Sequence, residues 1–145
     1  MPVRGVDLAT IPERFRRLFT DNPIVDSTEM EVVSYGDGES VLRFPYKKEF
    51  SQYQGTVQGG IQAAYADAAM AVAVTSLMPE GADVVTTDLH IRFLRTITSG
   101  PIIARALITH RGKTLMVGEA TVEREDGTVC ARVTATNMIV RPRGL

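Results

Sequence analysis

Apolar and polar residues alternate along the chain in different rhythms, each predicting a different element. The first segment is short and amphipathic, opening at Thr10-Ile11-Pro12-Glu13 and closing near Thr20. Thr is suited to the N-cap, Pro to the first turn and Glu to the third position after the cap. Asp21-Asn22-Pro23 breaks the chain. Two strand-like runs follow, Glu29–Tyr35 and Ser40–Tyr46, with Gly36-Asp37-Gly38 as a short hairpin turn. Lys47 to Thr56 reads as a loop. From Val57 to Met78 the chain is apolar nearly all round and rich in Ala, which predicts one long buried helix. Beyond Gly81 the period becomes that of strands: Leu89, Ile91 and Phe93 alternate with Asp88, His90 and Arg92. Three more strands, Ile102–His110, Thr114–Arg124 and Thr128–Val140, are separated by Arg111-Gly112-Lys113 and Asp126-Gly127, turns short enough to force antiparallel neighbours.

The order is therefore a short helix, two strands, one long helix and four strands: an α+β domain spanning residues 1–145, with its core at about 29–140. A sheet of about six strands has one face that a lone helix can cover. A helix dominated by alanine lets a strongly curved sheet wrap closely around it. Its remaining apolar surface and the free sheet edge call for a second subunit, as a homodimer or a dimer of dimers.

The lone acid of that helix raises the chemical question. From Phe50 to Pro79, thirty residues, Asp67 is the only charged side chain. Carboxylates are seldom buried without a partner or a task, so Asp67 is either catalytic or a structural acid satisfied by a nearby Ser or Thr. Composition narrows the rest. A net charge of -1 disfavours nucleic-acid binding. The single Cys130 excludes an internal disulfide, and with only two histidines, His90 and His110, no metal site is expected. Cys130 reads as a small buried side chain and His90 as a surface residue. No signal peptide is visible, and Asp67, Gln58 and Gln62 weaken a membrane-spanning reading of Val57–Met78. A cytoplasmic protein with no membrane or nucleic-acid partner is expected.

Gly55-Thr56-Val57-Gln58-Gly59-Gly60, followed by an apolar helix carrying Asp67, resembles the hot-dog-fold acyl-CoA thioesterases, specifically their phenylacetate-pathway-type branch. That branch typically shows His-Gly-Gly with an acid nine positions after the His. Here Gln58 stands in the His position, and an Asn commonly found six positions earlier is replaced by Gln52. Thr86 to Arg95 is similar to the family's strand after the helix, and Arg111-Gly112-Lys113-Thr114-Leu115 to its hairpin beside the coenzyme A site. The likeness covers roughly Glu29 to Val140. It implies a hot-dog fold, a homodimer with facing helices, and a Thr86 hydroxyl near the acid.

Thioester hydrolysis needs an activated water or a carboxylate nucleophile, and donors for the developing oxyanion. Gly59 and Gly60 put no side chain between the N–H groups of a helix start and a carbonyl, which suits an oxyanion site, although a plain tight turn would use the same residues. Nine residues from Gln58 to Asp67 span about 13 Å of helix, too far for both to serve one carbonyl from one chain. Antiparallel packing of two helices, placing Asp67 of one subunit against Gly60 of the other, removes the conflict. Gln58 and Gln52 are candidate substrate contacts, and Phe50, Tyr65 and Met70 candidate acyl-pocket residues. Arg111, Lys113 and Arg92 suit coenzyme A phosphates, or are simply solvated. Hydrolysis of an acyl-CoA without metal or redox cofactor is the leading expectation. A non-catalytic acyl-CoA-binding module and a hydratase or dehydratase remain alternatives; the last lacks the helix histidine it would use.

Overall fold

A computed structural model describes residues 7–141. The expectation of no leader peptide concerns residues partly outside that range. The elements are α1 (Glu13–Thr20), α2 (Pro23–Thr28), β1 (Glu31–Gly36), β2 (Glu39–Phe44), α3 (Gly59–Thr75), β3 (Asp83–Phe93), β4 (Ile102–Arg111), β5 (Leu115–Arg124) and β6 (Val129–Val140). Single 3-10 turns occur at Leu8–Thr10 and Lys48–Phe50. The six strands form one antiparallel sheet in the order β1-β2-β4-β5-β6-β3, and α3 lies against it. This is the hot-dog architecture.

The N-terminal region departs from expectation in two ways. The residue before α1 is Pro12 rather than Thr10, whose hydroxyl instead donates to Asp7 O within the preceding turn. Pro23 ends nothing: with its preset φ it occupies the first turn of α2, which the sequence pattern had shown only as a breaker. At the hairpin, Asp37 and Gly38 both take positive φ, 50° and 79°, the twist that joins β1 to β2 in two residues.

Helix α3 fits the sheet because its sheet-facing side chains are mostly small. Ala66, Ala69, Ala73 and Val74 are fully buried, with Tyr65 and Met70 as the large exceptions. Ser40 Oγ donates to Ala69 O at 2.6 Å, and Gly38 N donates to Ser76 Oγ at 2.8 Å, tying the helix to the first hairpin. The opposite stripe, Gly60, Ala63, Ala64, Asp67 and Ala71, is not fully covered by the chain's own sheet. Nor is the free edge strand β3, where Val85 and Phe93 are 46% and 50% exposed.

One irregularity in β3 matters for the site. Thr86 pairs with Asn137 and Asp88 with Thr136, so Thr87 is an extra residue, a β-bulge. Its hydroxyl donates to Thr136 O. In an unbroken strand Thr86 and Leu89 would face opposite sides. The bulge shifts the alternation by one, so that Val84 and Thr86 share the helix-facing side with Leu89 and Ile91, opposite Ile139, Asn137, Ala135 and Val133.

Candidate active site

Asp67 projects from the middle of α3, half-buried, and its Oδ1 accepts the Thr86 hydroxyl at 2.6 Å. Asn137 Nδ2 donates to the same Thr86 oxygen at 3.3 Å. Because a hydroxyl has one proton, the direction of this chain is set: Asn137 donates to Thr86, and Thr86 donates to the carboxylate. Among the described residues no donor reaches the second carboxylate oxygen, which leaves it available to hold a water proton. Asn137 is 1% exposed, and its own Oδ1 has no partner. Nothing in the pattern of β6 singled out Asn137. It occupies a position in the inward series that runs through Val133, Ala135 and Ile139, where a polar residue is the anomaly that could have marked it.

At the helix start, Gln58 is the N-cap. Its backbone carbonyl accepts from Ile61 N and Gln62 N, and its side-chain Oε1 accepts from Ile61 N at 3.1 Å. The N–H groups of Gly59 and Gly60 meet no acceptor among the described residues. These are the orphan donors that every helix start leaves, gathered here under residues without side chains. A Cβ at Gly60 would come within 2.8 Å of Gln58 Oε1, and one at Gly59 within 2.9 Å of the Phe93 ring, so a side chain at either position would displace the end of a neighbouring side chain.

The remaining sequence candidates are dispersed. Gln52 lies in the exposed loop before α3, its amide 3.4 Å from Thr56 Oγ1. Phe50 is half-buried, with the Lys47 ammonium 5.5 Å from its ring centroid. Met70 points at β5, where a Cβ on Gly118 would lie 2.7 Å from its Cε. Arg111 Nη2 donates to Leu77 O at 3.0 Å, beyond the C-terminal end of α3, and Lys113 lies in the turn just after β4. Within one protomer this end is the far one from Gly59 and Gly60. Tyr65 stacks on Phe44 with ring centroids 4.0 Å apart, and burial pushes its phenol up to about 12, so it stays a neutral hydroxyl. Cys130 is buried and burial pushes its thiol up as well, which removes it as a nucleophile.

Two hollows frame these residues. One of about 220 Å³ lies between α1, α2 and α3, with Asp67 and Tyr65 among its lining residues. A larger one, about 650 Å³, lies across the sheet among Arg92, Arg105, Glu119 and Arg132, and does not reach the acid. Among the described residues no cluster of His, Cys, Asp and Glu could hold a metal ion, and no helix is long and apolar enough to cross a membrane.

Residues 54–131 match the family model of the thioesterase superfamily. A candidate esterase of Saccharolobus solfataricus is 28% identical over 115 residues, covering 79% of this chain and 81% of its own. Among solved structures, a thioesterase family protein from Silicibacter pomeroyi superposes with a TM-score of 0.84 at 28% identity, covering 94% of this chain and all of its own. A phenylacetic acid degradation-related protein from Ralstonia eutropha superposes with a TM-score of 0.80 at 24% identity, covering 88% and 99%.

Proposed function

Because the chain belongs to the thioesterase superfamily, we propose that it is an acyl-CoA hydrolase whose base is Asp67. The observation that carries this reading is the carboxylate itself: one acid on an otherwise uncharged helix, held from one side by Thr86 at 2.6 Å and open on the other toward a cavity. Water attacks the thioester carbonyl and its proton passes to the free oxygen of Asp67. The tetrahedral oxyanion is held by the N–H groups of Gly59 and Gly60. The C–S bond then breaks, the acid leaves, and the coenzyme A thiolate recovers the proton from Asp67. Each step uses protein groups only, with no metal or redox cofactor.

The donors and the base come from different subunits in this reading, because along one helix they are about 13 Å apart. Two features support a homodimer: the small-residue stripe of α3 that carries Asp67, and the unpaired β3 edge with exposed Val85 and Phe93. A pair of such dimers is a further assembly on the same terms. Arg111 and Lys113 are the phosphate contacts offered to coenzyme A.

The test is release of free thiol from a panel of acyl-CoAs, with Asp67→Asn as control. Loss of a general base should slow turnover by roughly 100-fold or more. A folded Asp67→Asn protein that keeps near-full turnover would overturn the assignment. Tight binding of acyl-CoA without turnover by the unaltered protein would favour a binding module instead.

A further inference from the structure

Opposite the face that packs on α3, the sheet has an outer face with a charge pattern of its own. Antiparallel pairing sets one row of side chains across four strands: Arg105 on β4, Thr121 on β5, Arg132 on β6 and Arg92 on β3, each directly opposite the next. Only one end of this row is neutralised. Glu123 Oε2 accepts from Arg105 Nε at 3.0 Å and from the Thr121 hydroxyl at 2.7 Å. Arg132 and Arg92 stand opposite each other with no ion pair or side-chain hydrogen bond among the described residues. Side chains so placed have Cβ atoms about 5 Å apart, where like charges repel. In the next row His90 on β3 is opposite Thr134 on β6, again with no side-chain hydrogen bond among the described residues.

Two guanidinium forks, an imidazole N–H and a hydroxyl thus form a two-by-two block of neighbouring exposed side chains, all with donors to spare. An anion between Arg92 and Arg132 turns their repulsion into attraction, and the planar fork of arginine matches phosphate or carboxylate oxygens in pairs. A phosphate monoester suits the block better than a carboxylate, because it brings three acceptor oxygens and a charge near -2. Glu119 on β5, exposed and opposite Thr134, borders the block. It repels a bare anion and accepts from hydroxyl groups, so it favours a ligand whose body carries them. Room for that body exists: the hollow over this face, about 650 Å³, is lined by all five residues and continues over Leu107. That volume lies in the range of small-molecule sites. Glu39, the other acid of the lining, is three strand spacings from Arg132, about 14 Å, and leaves the basic corner undisturbed.

We propose that the outer face of the sheet carries a second binding site, for the phosphate monoester of a small hydroxylated molecule. The phosphate lies between Arg92 and Arg132 and accepts from Thr134 and His90, and the hydroxyl groups of the body donate to Glu119. The site is on the far side of the sheet from Asp67 and stands independently of the hydrolytic reading.

Calorimetry on the full chain tests it, with ribose 5-phosphate, inorganic phosphate and ribose as probes. Ribose 5-phosphate should bind, inorganic phosphate should bind more weakly, and ribose should not bind. Arg92→Gln and Arg132→Gln should each weaken ribose 5-phosphate binding at least about tenfold, the order of one charge-assisted pair. Arg105→Gln, whose guanidinium is already engaged by Glu123, and Arg111→Gln at the β4–β5 hairpin should leave it nearly unchanged. Glu119→Ala separates the two parts of the ligand: it should tighten inorganic phosphate and remove the preference for ribose 5-phosphate. Thermal unfolding without any probe is a second readout. Relieved of their mutual repulsion, both glutamine variants should be at least as stable as the unaltered protein. Failure of both phosphates to bind, equal weakening by Arg105→Gln or Arg111→Gln, or a clear loss of stability in both glutamine variants would overturn the site. A larger assembly in sedimentation that loosens in those variants, with no phosphate bound, would assign the face to a second copy of the chain and overturn it as well.

Discussion

Replacing Asn137 with Leu should make the protein no less stable and yet slower. Asn137 is 1% exposed, and its Oδ1 is buried without a partner. An unsatisfied buried acceptor costs about 1–3 kcal/mol, whereas a neutral hydrogen bond contributes about 1 kcal/mol. The bond lost here, Nδ2 to Thr86 Oγ1, is long at 3.3 Å, and exposed Thr86 can take water in its place. Leu keeps the branched outline while exchanging two polar atoms for methyls, so the balance lies between no change and a gain of about 2 kcal/mol. For a chain of this length that corresponds to a rise in Tm of up to about 8 °C. Turnover should move the other way. Without its donor, Thr86 loses the contact that orients its hydroxyl toward Asp67, and a misoriented base should lower kcat by about 3- to 30-fold with KM little changed. Thermal unfolding and steady-state kinetics on the same preparations check both halves. Asn137→Val, one heavy atom smaller, controls for crowding. A fall in Tm of more than about 5 °C in both variants with kcat unchanged would show that Asn137 is a structural residue and that the relay to Asp67 has no catalytic weight.

A shared site makes a complementation experiment decisive: Asp67→Ala subunits mixed with Gly60→Leu subunits should regain part of the activity that neither homodimer has. No recovery despite demonstrated subunit exchange would place donors and base in one chain. Gln58 has two separable tasks. Gln58→Ala should lose about 1 kcal/mol as a missing helix cap and about 10-fold in kcat/KM as a missing polar contact. Gln58→Ser should restore the stability without the rate, and Gln58→His should retain both; equal kinetics for all four proteins would reduce Gln58 to a cap alone.

The sequence pattern revealed the parts of the fold that follow a simple period. The alternation of Leu89, Ile91 and Phe93 and the short turns after Arg111 and Asp126 correspond to an antiparallel sheet, and the alanine-rich run to α3. Asp67 stood out because one charge among thirty uncharged residues is a chemical anomaly. What stayed hidden depends on long-range placement. Pro23 signals a helix start as readily as a break, and only the packing of Val25 and Thr28 decides between them. The bulge at Thr87 has no composition of its own; it shows in the sequence as an inconsistency, with polar Thr86 and apolar Leu89 differing in parity although both face α3. Asn137 contacts Thr86 across fifty-one positions, a separation no local pattern reports.

That bulge gives the site an unusual kind of fragility. Thr87 contributes one residue of length to β3, and its hydroxyl donates to Thr136 O, with Asp88 Oδ2 as an alternative acceptor, so many side chains could stand in its place. Removing the residue altogether is different in kind. It would slide one half of the strand past the other by a single step, turning either Thr86 or the Leu89 and Ile91 series out to solvent. The spacing between the hydroxyl that holds the acid and the apolar residues that anchor the strand is thus stored as a count of residues. Variation among sister sequences should therefore be generous in what occupies position 87 and strict in whether anything does.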